Sequence, residues 1–147
     1  MIRSIIAVVA SYLTMFVLGF VAFSCGFLIL GSEVVFKPGI FESSTTWIVI
    51  AFAICIVEAM IGGFLCALIA RGGRAPLVLA IVAFALALAV SVADMNKGKT
   101  NAGLVRAPDT PKMEAIQKAY WPGWVPFAFS FTSPIGILIG ARLKRRD

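Results

Sequence analysis

Four long apolar runs separated by three polar breaks organise this chain. They cover Ile5–Leu30, Trp47–Ala70, Ala75–Ala93 and Trp124–Ala141. About 20 apolar residues are needed to cross roughly 30 Å of hydrocarbon. Three runs meet that length; the fourth is slightly short but is flanked by aromatic and basic anchors. The runs lack the alternation of barrel strands, and lipid offers the backbone no hydrogen-bond partner, so each is predicted to be a helix. The expected fold is all-α: a polytopic membrane protein forming a four-transmembrane-helix antiparallel bundle in one domain.

The breaks differ in kind. Arg71-Gly72-Gly73-Arg74 is too short for anything but a tight hairpin between the second and third spans. The break from Gly31 to Thr45 carries a turn signal, Lys37-Pro38-Gly39, and Trp47 follows where an interfacial aromatic belongs. The break 94–123 is the largest polar feature. Its first half, with Asn96, Gly98, Asn101 and Gly103, reads as irregular. Its second half reads as a short interfacial helix before the fourth span. Thr110 is the expected N-cap, Pro111 the first helical residue, and Glu114 lies in the first turn. Met113, Ile116 and Tyr120 share its apolar face. Trp121 and Trp124 then anchor the entry to the fourth span.

Small residues at every fourth position let helices approach closely in lipid. The second span carries Ala51, Cys55, Ala59, Gly63 and Ala67; the fourth carries Gly136 and Gly140. The first offers Ala10, Thr14, Leu18, Ala22 and Gly26, small at all but Leu18. The third has no polar residue before Ser91. The first, second and fourth spans are therefore expected to pack together, leaving the third facing lipid or a partner.

Composition agrees with this layout. The chain is 61% hydrophobic and 14% charged, against roughly 45–50% and 25% for soluble domains. Its net charge of +6 collects at the ends of apolar runs, where anionic headgroups account for it better than nucleic acid does. Seven of the Lys and Arg residues fall in the 14 residues 1–4, 71–74 and 142–147, and six in the 45 residues 31–45 and 94–123. That density predicts both termini on the cytoplasmic side, in a bacterial inner membrane. Arg3 ahead of an apolar run suggests a signal peptide, but the run is too long and no small-x-small site ends it, so a retained span is expected.

Chemistry is sparse. With no histidine, the chain cannot supply the commonest ligand for haem, zinc or copper. Lipid, quinone or pigment contacts in grooves shared with a neighbour remain compatible with it. Cys25, Cys55 and Cys66 lie in apolar runs without CxxC spacing and imply neither a disulfide framework nor a metal site. Glu58 is the one acid inside the four runs. It lies 13 residues before Arg71, roughly 20 Å along a helix, near the bilayer centre, where a bare charge costs from about 2.5 kcal/mol upward. Glu58 is therefore expected to be a neutral acid or to meet a cation or polar group, facing protein beside the small-residue stripe. Ser130, Thr132 and Ser133 form a polar patch at similar depth, and Pro134 frees the Ser130 carbonyl to accept from Glu58. Tyr12 and Thr14 are further candidate partners.

Four helices with one membrane carboxylate resemble the small multidrug-resistance transporters in layout. Those place their glutamate in the first helix and have short loops throughout; here the acid is in the second helix and the last break is long, so no residue role carries over. The expected function is an accessory subunit packed within a larger membrane protein complex, with lipid and other subunits as partners and no enzymatic activity. The alternative is a small proton-coupled transporter working as a homo-oligomer through Glu58.

Overall fold

The computed structural model describes residues 2–71 and 73–145, the side chain of Arg145 excepted. Gly72 of the predicted hairpin and Arg146 of the basic end lie outside the described residues. Among the described residues six helices follow one another: α1 (Ile2–Leu30), α2 (Ser32–Val35), α3 (Thr45–Ala70), α4 (Ala75–Asn101), α5 (Lys112–Lys118) and α6 (Val125–Arg145). Four of them, α1, α3, α4 and α6, are long and apolar enough to cross a membrane. The described residues contain no strand, only three isolated β-bridges.

The α3–α6 seam is the tightest contact between helices. Ala51 and Ala59 are fully buried, Cys55 and Gly63 are buried, and Ala67 is half-buried. Gly140 lies on the Met60 carbonyl, and Gly63 on the Ile137 carbonyl. At Gly136 an added Cβ would come 2.6 Å from the Ala59 Cβ. Each helix thus offers glycine where the other offers backbone, which is how helices associate when lipid supplies no hydrophobic drive between them.

Helix α4 is not the outlying span predicted for the third run. It lies along α6 through its own small face, with Ala75, Ala80, Ala83 and Ser91 buried. The outlying helix is α1: only 17% of its apolar window is buried, against 33%, 33% and 39% for α3, α4 and α6. Its buried face also differs from the predicted stripe. Ala7, Ser11, Met15 and Gly19 face inward, one position round from Ala10, Thr14, Leu18 and Ala22. A one-residue step turns a helix by about 100°, so Leu18 and Ala22 instead line an open groove. Gly26 does meet the bundle, against the Trp47 ring. Trp47 is 5% exposed, packed from α3 against α1 and edge-on to Phe23 with ring centroids 5.8 Å apart, so it belongs to the core. Trp124, at 61% exposure, stacks on Phe52 at the start of α6.

The 94–123 break is more ordered than predicted. α4 does not end at Ala93 but continues to Asn101, so Asn96, Gly98 and Asn101 are helical. The reason is tertiary. Gly98 lies against Tyr120 and Trp121, and the Asn101 amide donates to the Lys118 carbonyl at 2.9 Å. A helix of 27 residues is about 40 Å long, more than the roughly 30 Å of a hydrocarbon core. The α5 start differs too. Pro111 is the N-cap, with no side-chain capping bond. The Thr110 hydroxyl donates instead to the Ala107 carbonyl, closing a turn. Ala115 is the buried residue of α5, while Met113 and Ile116 are 68% and 45% exposed.

The two longer breaks knit into one cap over the bundle. Bridges join Phe36 to Ser43, Ile40 to Val105 and Glu42 to Tyr120. The Lys37-Pro38-Gly39 turn is present, with Gly39 at φ 72° and Lys37 paired with Glu42. Beneath lies an apolar cluster of Phe27, Val35, Phe36, Phe41, Trp47, Ala115 and Tyr120. Arg106 locks it from above. Its side chain is 3% exposed and its Nη1 donates to Glu33 Oε1 at 2.8 Å, while its guanidinium lies over the Phe36 ring. At the other end of the bundle the Arg3 Nε donates to the Ile69 carbonyl at 2.8 Å, tying α1 to the end of α3.

Two outcomes follow from this packing. Gly140→Ala drives a Cβ into the Met60 carbonyl and should cost about 1–3 kcal/mol, as overpacking does; Gly123→Ala, which meets nothing within 4 Å, should be near neutral. Unfolding in lipid–detergent micelles separates the two. The second outcome concerns the cap. The hydrogen bond from Arg106, and then its charge, hold the Glu33 carboxyl below the ordinary value of 4.5. A depressed value means the pair contributes fully above about 4.5 and loses that contribution as pH falls through the lower folded-state value. Exchange protection of the Ser44 and Arg106 amides, corrected for intrinsic rates, should hold from pH 7 to 5 and then weaken. The step should be shallow, because Glu33 is 73% exposed and water screens the pair. Glu33→Gln should remove it.

Candidate functional site

Glu58 lies in mid-α3, one residue from the buried Ala59, and its side chain points away from the α3–α6 seam toward α1. Gly19 makes room for it: the carboxylate occupies the space a Cβ at Gly19 would need. One oxygen, Oε2, is buried without a hydrogen-bond partner. In lipid-facing protein such an acceptor carries a desolvation cost that nothing among the described residues offsets.

Beside it lies a cavity of about 460 Å³ to which all four long helices contribute. Glu58 comes from α3 and Tyr12, Phe16, Gly19 and Phe20 from α1. Ala87, Val90 and Ser91 come from α4, and Phe129 and Ser133 from α6. A second, smaller groove of about 330 Å³ meets Glu58 from the other side, between Leu18, Ala22 and Val57. Glu58 therefore stands at the partition between two openings on either side of α1.

The structure brings only part of the predicted polar set together. Tyr12 and Ser133 share the cavity with Glu58. Thr14 and Thr132 do not line it; their hydroxyls donate back to the carbonyls of Ala10 and Ala128, each at 2.8 Å. This is the usual internal satisfaction of Thr in a helix. Ser130 is fully buried but turned toward α4, and no hydrogen bond joins it to Glu58. Ser130 and Thr132 lie about 160° apart around α6, so the three residues do not form one patch.

Ser130 has a different partner. Ser91 Oγ lies 3.0 Å from Ser130 Oγ, 2.7 Å from the Pro126 carbonyl and 2.8 Å from the Ala87 carbonyl. Each hydroxyl has one proton, so the pair is satisfied when Ser130 donates to Ser91 and Ser91 to a carbonyl. Ser91 was visible in the sequence as the first polar residue of the third span, but only the α4–α6 contact reveals its partner. The described residues contain no group of three His, Cys, Asp or Glu side chains able to hold a metal ion. Cys55 and Cys66 are buried free thiols, and Cys25 is exposed.

Compared with known proteins, the chain matches no family model, no curated protein and no solved structure.

Ser91→Ala and Ser130→Ala should each destabilise the bundle, and together by less than their sum. The coupling from a double-mutant cycle in micelles should be about 0.6 kcal/mol, the mean for such bonds in membranes, and at most about 1.7. Strict additivity would show that the two hydroxyls do not support each other.

Proposed function

We propose that this chain is a non-catalytic accessory subunit of a larger membrane protein complex, an antiparallel four-span bundle with both termini in the cytoplasm of a bacterial inner membrane. α5 sits in the outer cap at the membrane surface. The observation that carries this reading is the thin seating of α1. Its outer face, including Ile5, Val9, Phe16, Val17 and Phe20, is more than half exposed at each of these positions, and grooves flank it on both sides. A helix held along one narrow edge beside open grooves suits a surface finished by neighbouring subunits and lipid. The cap supports the same reading, because its two loops are tied by Arg106 and by backbone bridges into one platform on which a neighbour can dock.

A second reading has its own observation. The unpartnered Glu58 oxygen beside a cavity is the arrangement a proton-coupled transporter working as a homo-oligomer would use.

Gentle extraction followed by native electrophoresis and mass spectrometry should recover the chain with different membrane polypeptides in fixed ratio. Recovery only as a homo-oligomer would contradict the subunit reading and favour the second. In that event Glu58→Gln should abolish proton-coupled flux in reconstituted vesicles.

A further inference from the structure

We propose that the Glu58 cavity is a binding site for a primary-amine amphiphile, a molecule with an apolar body and a protonated –NH3+ head. The inference rests on the cavity and not on the subunit role. Four observations lead to it.

The first is chemical. The Glu58 Oε2 is buried and accepts no hydrogen bond, and no Lys or Arg side chain lines the cavity. What is missing is a donor, and a positively charged donor offsets most: charge-assisted bonds are roughly twice as strong as neutral ones. A quaternary ammonium brings the charge but no N–H, and an alcohol brings the donor but no charge. A primary ammonium brings both.

The second is shape. At about 460 Å³ the cavity falls within the usual range for small-molecule sites, roughly 300–1,000 Å³. Its walls are aliphatic and aromatic except at Glu58, Tyr12, Ser91 and Ser133. One charged group in a mostly apolar chamber suits a ligand with one charged end.

The third is access. Phe16, Phe20, Leu86 and Val90 on the cavity wall are 66%, 68%, 44% and 59% exposed. The mouth thus opens sideways between α1 and α4, onto the surface that faces lipid, so the ligand enters from the bilayer. The fourth is continuity. A smaller chamber of about 260 Å³ under the cap shares Phe20 and Phe23 with the first and runs past Ser24 to Trp47 and Trp121. The apolar tail can lie along this path while the head rests on Glu58.

The test uses three probes with one tail: octylamine, octyltrimethylammonium and 1-octanol. Each is titrated calorimetrically into the full chain in neutral-lipid nanodiscs, with empty nanodiscs subtracted. Octylamine should bind at least tenfold more tightly than either of the others. Glu58→Gln should reduce octylamine to the affinity of octanol. Ala87→Phe, which fills the cavity from α4, should abolish binding of all three. Equal binding of octylamine and octyltrimethylammonium to the unaltered chain would overturn the proposal, with no variant needed. So would octylamine affinity unchanged by Glu58→Gln in a variant that keeps its helical content.

Discussion

The backbone-to-backbone approach of α3 and α6 is the contact on which the rest of the structure depends. Water is not there to drive apolar faces together inside a membrane, so association rests on dispersion and close fit. Gly63, Gly136 and Gly140 supply that fit at three successive places. Once α3 is pressed against α6 along Ala59 and Gly63, its rotation about its own axis is fixed. That rotation turns Glu58 toward α1 and away from the seam. The position of Glu58 is therefore a consequence of where the glycines are.

α4 joins the pair from the other side of α6, where Ser91 and Ser130 replace glycine as the means of close association. α1 is left with the remaining edge of α3, where Met15 lies on Gly62 and Gly19 on Glu58. The space between α1 and α4 is not filled by side chains, and that unfilled space is the cavity. Packing, charge and access thus share one origin. The helices that fit best exclude α1 from full contact, and its partial detachment exposes an acid to an opening in the bundle wall. The cap is rooted in the spans: its apolar cluster includes Phe27 of α1 and Trp47 of α3, while the Arg106–Glu33 pair and the bridges join its two loops.

What could be read beforehand follows from which forces are local. Four apolar runs and the α3 stripe were legible because each is a pattern within one segment. The α1 stripe was misplaced by one position because Met15, a large flexible residue, occupies a place where a search for small residues skips over it. α4 outran its predicted end because Gly98 and Asn101, which locally favour irregular structure, are held helical by Tyr120, Trp121 and Lys118. The cap was read as two separate loops because bridges such as Ile40–Val105 join residues far apart in sequence. At the candidate site, Glu58 was legible from its rarity and depth, and Ser130 was assigned to it by depth alone. Azimuth decided otherwise and gave Ser130 to Ser91.

The central claim is that α3 and α6 touch through their backbones. Solid-state NMR on the chain in lipid bilayers, labelled with 13C at glycine and methionine, tests it without altering a residue. The account predicts a short-mixing-time cross-peak between the Gly140 Cα and the Met60 Cα, as strong as sequential backbone contacts. Its absence, with intrahelical cross-peaks intact, would contradict the seam and the placement of Glu58 that follows from it.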